Sequence, residues 1–572
     1  MKPFDENGLF RPAEERGGLR RLAVRGAGVT VFSSGFSLAI QIVATVVLAR
    51  LLTPTDFGVV AMVTTFSLLL MNFGLNGFTE AILQREELTD DLVSNLFWVS
   101  IVAGILLSIG FAAAGSLLAR FYHDPLVAPV TVGMSATIFF TSISVQHLAL
   151  LKRAMRFSSV SVNDIIARSI SVGVSIVLGK AGWGYWALVA GAIALPVSSA
   201  IGAFYLCQWV PALPRRAAGT ASMIGFSLNI YGRFIVNYSA HNMDNLLVGW
   251  RFDAQSLGFY KKAYDLFALS ASQLVSPLSN VAVSALSRLT RDTVQYRRYL
   301  LNALGVIALV GMGLGADLTL VGHDIIRLLL GPGWDPAGRI FTFFGPGIGI
   351  MLLYGTHGWI HLSIGRADRW LRWGVIEVVV TVLLFILGLH WGPSGVAVAW
   401  TASFWILTIP SFWYAGKPIE LKAITVVGAV WKFFVASVLA GCVSYLILRR
   451  IPLFMAAPST LGAFVRIAIA SGLFVPLYLG AVILLHRGCG PLSQLLGLVR
   501  EVIPGNKFSW RSAEPGVIPG TNDSAAPPNS RGNYCSLRKV ATRILRARRA
   551  GAKKSLNDNC EISWWGGWFS RG

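Results

Sequence analysis

Between Gly26 and Leu485 the chain is a succession of about fourteen apolar stretches, each close to the length that crosses a bilayer, joined by short polar connections. A helical span needs roughly 20 apolar residues, and inside hydrocarbon its backbone groups must be paired within the segment. This pattern excludes a soluble fold and predicts an all-α polytopic membrane protein. The composition agrees, with 54% hydrophobic and 13% charged residues and a mean hydropathy of +0.62.

The expected spans are 27–49, 57–78, 94–118, 127–150, 159–178, 185–209, 222–249, 256–285, 299–320, 339–363, 370–389, 393–415, 422–447 and 462–485. The ninth is the weakest, because Asp317, His323 and Asp324 interrupt its end, and without it thirteen remain. Landmarks of the first half return in the second. Gly58 in Leu-Leu-Thr-Pro-Thr-Asp-Phe-Gly is echoed by Gly258 in Arg-Phe-Asp-Ala-Gln-Ser-Leu-Gly, a shift of 200. Gly115 with Arg120 matches Gly322 with Arg327 at 207, and Asp124-Pro125 matches Asp335-Pro336 at 211, as does Gly184 with Gly395. Offsets that only grow are those of a duplication with small insertions. Halves repeated about an axis along the membrane normal are a transporter design. The chain therefore divides into a basic N-terminus (1–26), a first six-helix lobe (27–209), a pseudo-symmetric second lobe (222–415), two further spans (422–485) and a tail (500–572).

A net charge of +22 raises the question of a nucleic-acid partner, but the charges alternate by loop. The N-terminus carries Lys2, Arg11, Arg16, Arg20, Arg21 and Arg25, and even-numbered connections carry Lys152, Arg153, Arg156, Arg215, Arg216, Arg288, Arg291, Arg297, Arg298, Arg366, Arg369 and Arg372. Odd-numbered connections hold only a scatter such as Arg50, Arg120, Lys180 and Arg251. The positive-inside rule then puts both termini in the cytoplasm, which requires an even number of spans and favours fourteen. No nucleic-acid partner is expected. The first apolar run is full length and is expected to stay as the first span rather than be cleaved. Cys207, Cys442, Cys489, Cys535 and Cys560 have neither metal-ligand nor disulfide spacing.

After about Val502 the chain turns to Pro, Gly, Ser, Asn and Asp, with a basic run from Arg531 to Lys554 and then Trp564, Trp565, Trp568 and Phe569. This reads as a disordered cytoplasmic tail touching anionic lipid; the alternative is an RNA- or protein-binding tail, which no structured motif supports. Connections between spans are too short for an extramembrane domain, and thus for the long loop in which membrane enzymes of lipid-linked sugars usually keep their chemistry.

Catalytic and cofactor motifs are weak throughout. Gly173 followed by Gly179-Lys180 misses phosphate-loop spacing by one and lacks the following Ser or Thr. Gly311, Gly313 and Gly315 read as packing glycines rather than a nucleotide fingerprint. His357 and His361 share a helix face, but no third metal ligand lies near them in sequence. No metal, cofactor or catalytic triad is expected.

One polar stripe stands out. In the seventh span Asn229, Arg233, Asn237, His241 and Asp244 follow at i, i+4, i+8, i+12 and i+15, which places them on one side of a helix. An ionisable residue at mid-membrane costs at least about 2.5–3.5 kcal/mol, so the stripe is expected to line a substrate cavity; the alternative is polar packing between helices. Tyr264 and Asp265 in the eighth span and Glu377 in the eleventh add to it. Asp164 with Arg168, and Lys261 with Asp265, read first as intrahelical pairs.

Taken as a set, several stretches carry a family resemblance. They are Leu-Ala-Arg-Leu-Leu-Thr-Pro-Thr-Asp-Phe-Gly-Val-Val-Ala-Met (48–62), Asn-Phe-Gly-Leu (72–75), Ile-Leu-Gln-Arg (82–85), Leu-Phe-Trp (96–98) and Leu-Leu-Lys-Arg-Ala-Met-Arg-Phe (150–157). They continue with Gly-Tyr-Trp-Ala-Leu-Val (184–189), Asn-Met-Asp-Asn-Leu-Leu-Val-Gly (242–249) and Leu-Gly-Phe-Tyr-Lys-Lys-Ala-Tyr-Asp-Leu (257–266). The chain from about 20 to 490 resembles the Wzx-type polysaccharide flippases of the multidrug/oligosaccharidyl-lipid/polysaccharide (MOP) exporter superfamily. The resemblance implies a MATE-like fold of two six-helix lobes plus two helices in a bacterial inner membrane. The implied cargo is an undecaprenyl-pyrophosphate-linked oligosaccharide for exopolysaccharide, capsule or O-antigen, with a polymerase and a chain-length regulator as partners. In that reading Arg233, Asn229 and Asn237 receive the head group, Asn242, Asn245 and Tyr264 form a gate or lobe contact, and Asp244, Asp265 and Glu377 are the carboxylates suspected of ion coupling. A cation or drug antiporter shares the fold but concentrates acidic groups in its cavity. A sugar-polymerising membrane enzyme is the third reading.

Overall fold

The computed structural model describes residues 3–5, 8–10, 19–85, 87–215, 219–451 and 460–502, so the tail expected from 500 lies almost wholly outside the described residues. Its helices are α1 (Leu19–Leu51), α2 (Pro54–Gln84), α3 (Asp90–Ala113), α4 (Gly115–Tyr122), α5 (Val127–Arg153), α6 (Phe157–Lys180), α7 (Tyr185–Cys207), α8 (Thr220–Arg251) and α9 (Ala254–Arg288). They continue as α10 (Thr293–Leu330), α11 (Asp335–Gly355), α12 (His357–Ser363), α13 (Ala367–Gly388), α14 (Gly392–Gly416), α15 (Ala423–Leu448), α16 (Thr460–His486) and α17 (Gly490–Val502). Each expected span falls on one helix, except that the third and tenth continue past a one-residue break at Ala114 and Thr356.

Among the described residues eleven stretches are long and apolar enough to cross a membrane, one of which, Asp368–Ile419, holds both α13 and α14. The long helices outside these eleven are α8 and α9, of 32 and 35 residues. Both exceed the length of a span. Lipid-facing sides are apolar: along α13, Leu371, Val375, Val379, Leu383 and Ile386 recur on one side and are all exposed. The result is an all-α polytopic membrane fold.

Polar residues inside the bundle are tied across helices. Gln146 of α5 donates to Ser100 Oγ at 2.6 Å and to the Leu96 carbonyl of α3 at 3.1 Å, and Asn163 of α6 donates to the Ser199 carbonyl of α7 at 3.2 Å. The doubtful ninth span is resolved in the same way. α10 runs unbroken, and its acidic residues meet α16: Asp324 accepts from Arg466 Nε at 3.0 Å, and Asp317 accepts from Ser471 Oγ at 3.0 Å.

The repeat is visible as duplicated local structure. Thr53 caps α2 through a capping box with Asp56, and Asp253, 200 residues later, caps α9 by accepting from the Ser256 N–H at 2.8 Å. Gly115 of α4 lies against Thr131 of α5, and Gly322 of α10 lies against Thr342 of α11, each member displaced by its own offset of 207 or 211.

Candidate transport site

α8 carries two different faces. One is aromatic: the rings of Tyr231, Phe234 and Tyr238 stack in sequence, with centroids 6.2 and 5.4 Å apart. The two tyrosine hydroxyls donate to the Leu69 and Thr65 carbonyls of α2, at 2.8 and 2.9 Å. These bonds run between the first and second halves of the chain. They use the polar end of a side chain whose ring is otherwise packed against hydrocarbon.

The other face is the polar stripe. Asn229 is exposed. The side chains of Arg233, Asn237 and His241 lie outside the described residues, although their backbones belong to α8. Asp244 is fully buried, which differs from the cavity-lining exposure its place in the stripe suggests. Its Oδ2 accepts from Tyr260 Oη of α9 at 2.8 Å and from Trp400 Nε1 of α14 at 3.0 Å. The adjoining aromatic wall explains the burial: Tyr264, Phe267, Phe344 and Trp400 pack edge to face and offset around it. Asn245 is also buried. Asp244 Oδ1 and both polar side-chain atoms of Asn245 have no hydrogen-bond partner among the described residues. Leaving such a group unpaired costs about 1–3 kcal/mol, more if it is charged. Asn242 turns back to its own helix, donating to the Tyr238 carbonyl at 3.0 Å.

The remaining carboxylates fall in separate places. Asp265 is ion-paired with Lys261 on α9, and Asp164 with Arg168 on α6 at 2.8 Å, as their spacing predicts. Asp164 also accepts from Ser37 of α1 at 3.2 Å. Glu377 of α13 hydrogen-bonds Tyr354 of α11, whose hydroxyl accepts from Trp373 Nε1 at 2.9 Å. Beside this group His357 and His361 are buried with ring centroids 6.0 Å apart. Among the described residues no three His, Cys, Asp or Glu side chains stand close enough to hold a metal.

Sequence reasoning missed Tyr260 and Trp400, which donate to the buried Asp244, and Tyr354 and Trp373, which are hydrogen-bonded in series beside Glu377. Their signal is a tyrosine or tryptophan inside an apolar helix, which must find a partner for its polar end once buried.

The stripe also differs between the repeats. At the offset of 200 fixed by the two helix caps, Arg233, Asn237, His241 and Asp244 correspond to Ser33, Ser37, Gln41 and Ala44 of α1. The face is polar in both halves and ionisable in only one.

Comparison with known proteins gives this architecture its relatives. The teichuronic acid biosynthesis protein TuaB of Bacillus subtilis is 25% identical over 431 residues, 73% of this chain and 88% of that protein. The succinoglycan biosynthesis transport protein ExoT of Rhizobium meliloti is 20% identical over 414 residues, 72% of this chain and 80% of that protein. Among solved structures, the lipid II flippase MurJ in an inward closed conformation has the same fold. Its TM-score is 0.64 at 16% identity, covering 80% of this chain and 98% of MurJ. A family model described as polysaccharide biosynthesis protein matches residues 47–339, 293 of the 572 residues, and the chain belongs to that family.

Proposed function

We propose that this chain is a flippase that carries an undecaprenyl-pyrophosphate-linked oligosaccharide repeat unit from the cytoplasmic to the periplasmic leaflet of a bacterial inner membrane, with both termini in the cytoplasm. The observation that carries this reading is the family match over half the chain, joined to a long helix, α8, that carries the polar stripe. The names of TuaB, for teichuronic acid biosynthesis, and ExoT, for succinoglycan biosynthesis transport, support a saccharide cargo.

The chemistry follows from the cargo. A sugar diphosphate cannot cross hydrocarbon bare, because its charge would lose the water that solvates it. Arg233 grips the diphosphate bidentately, and Asn229 and Asn237 replace water at its remaining oxygens. The corresponding face of α1 in the other half carries Ser33, Ser37 and Gln41 in place of ionisable groups. The lipid tail stays in the bilayer while the lobes 27–209 and 222–415 rock about the head group. Asp244 with Asn245 is the place where a coupling proton or cation is held, supported by their three unpartnered atoms; Asp265 is the weaker candidate because Lys261 already neutralises it, and Glu377 stands behind Tyr354. Polymerase and chain-length regulator act on the delivered unit and are the expected partners.

A deletion strain tests the reading. It should accumulate undecaprenyl-linked repeat units in its membranes and lose surface polymer, with rescue by the wild-type chain and not by Arg233→Ala at equal abundance. Normal polymer together with altered sensitivity to cationic drugs would replace the flippase by an antiporter.

A further inference from the structure

The two echoed glycines, Gly58 and Gly258, lie against each other's helices. α2 and α9 start at the same end of the bundle and cross within their first turns. A Cβ at Gly58 would lie 1.6 Å from the Ala254 carbonyl oxygen, and one at Gly258 would lie 1.9 Å from the Pro54 carbonyl oxygen and 3.2 Å from the Gly58 nitrogen. The first residue of each helix thus faces the fifth residue of the other, a contact that repeats itself about an axis between the halves, as isologous interfaces do. Only hydrogen on Cα allows backbones to pack this closely, with Cα–H groups directed at carbonyl oxygens.

The surrounding contacts also join one half to the other. Phe57 receives the Lys262 ammonium 4.0 Å from its ring centroid and the edge of Trp334 at 5.4 Å. Trp334 Nε1 donates to the Ala49 carbonyl at 2.9 Å, and Arg50 Nη2 donates to the Leu328 carbonyl at 2.8 Å, tying α1 to the end of α10. On the opposite flank, Phe121 stacks on Trp250 at 6.5 Å, and Tyr122 fills the space above Gly249, tying α4 to the end of α8. Leu257, at the centre of the seam, is fully buried.

We propose that this seam is the extracytoplasmic gate in its shut state, and that glycine at 58 and 258 is what permits it to shut; the side of the membrane rests on the orientation proposed above. In a shut seam a methyl group at either position collides with the partner helix's backbone, which has no rotamer by which to move away. In a parted seam the same methyl group meets nothing. Substitution therefore shifts the population toward the open gate, because it acts on one state and not the other.

The test is accessibility of Leu257→Cys to a membrane-impermeant maleimide in spheroplasts and in inverted vesicles, read on residue 257 by mass spectrometry. With glycine at both positions labelling should be low from either side. Adding Gly58→Ala or Gly258→Ala should raise it several-fold from the outside. Gly110→Ala, whose added methyl group meets open space, should leave it unchanged. Arg50→Gln loosens the seam without a backbone clash and should also raise labelling, which covers the case in which the alanine variants do not accumulate. Unchanged labelling in the alanine or Arg50→Gln backgrounds overturns the gate. A rise seen only from the cytoplasmic side overturns its placement on the outer face. Neither outcome touches the saccharide cargo, which this measurement does not read.

Discussion

Asp244 shows at the scale of one residue how the second half of the chain keeps a charge-bearing group inside a membrane. Its Oδ2 is held by a phenol and an indole, donors that are apolar except at the bonding atom and so cost little to bury. Tyr260→Phe removes one of the two donors and should lower stability by about 1–3 kcal/mol, measured as a fall in melting midpoint of the purified protein. In an Asp244→Asn background the same change should cost much less, because no carboxylate remains to be deprived. Equal costs in both backgrounds would mean that the hydroxyl acts through something other than Asp244. The carboxylate was legible in the sequence as the last member of a stripe. Its partners were not, since Trp400 lies 156 residues away and no local spacing announces it. The stripe's geometry also suggested one environment for all five residues, whereas Asn229 is exposed and Asp244 fully buried; which neighbours a helix face meets is decided by tertiary packing.

At the scale of the element, α10 and α16 form an antiparallel pair fastened at three levels. Tyr478 donates to the Leu309 carbonyl at 2.7 Å, Ser471 to Asp317 at 3.0 Å, and Arg466 to Asp324 at 3.0 Å. The register explains why α10 spans despite its acids: each carboxylate is met by a donor from the next helix, so neither is left alone in hydrocarbon. Arg466→Leu strands the part-buried Asp324 and should destabilise the protein, by less than the ~3–5 kcal/mol that breaking a fully buried pair from one side costs. Arg466→Leu combined with Asp324→Leu should recover most of that loss in thermal unfolding, since an apolar pair needs no partner. A double variant as weak as the single one would show that the pair does more than satisfy itself. Span positions were legible here from apolar length alone. The ends were not: the second span, expected at 57–78, extends over Pro54–Gln84, because the capping box and polar ends continue a helix beyond its apolar stretch.

At the scale of the whole molecule, the duplication determines what must be alike and what is free to differ. Thr53 and Asp253 keep equivalent caps, Gly58 and Gly258 keep equivalent contacts, and the polar faces of α1 and α8 have drifted apart into serines on one side and ionisable groups on the other. Repeats of six spans each, as the sequence predicts, would have a consequence for topology. An even number returns the chain to its starting side, so the two halves must be parallel, with equivalent loops on the same face of the membrane. Trp183, just before Gly184, and Trp391, just before the second-half counterpart Gly395, are both well exposed. Arg156 and Arg366, in the corresponding basic turns at the other ends of α6 and α13, are exposed as well. Cysteines introduced as Trp183→Cys and Trp391→Cys should therefore both react with an impermeant maleimide in spheroplasts. Arg156→Cys and Arg366→Cys should react only once the membrane is opened, since the arginine-rich turns belong inside. If all four reverse, the charge rule misleads for this chain and the glycine seam faces the cytoplasm. If Trp183→Cys and Trp391→Cys report opposite sides, one half holds an odd number of spans, and the parallel repeat fails with it.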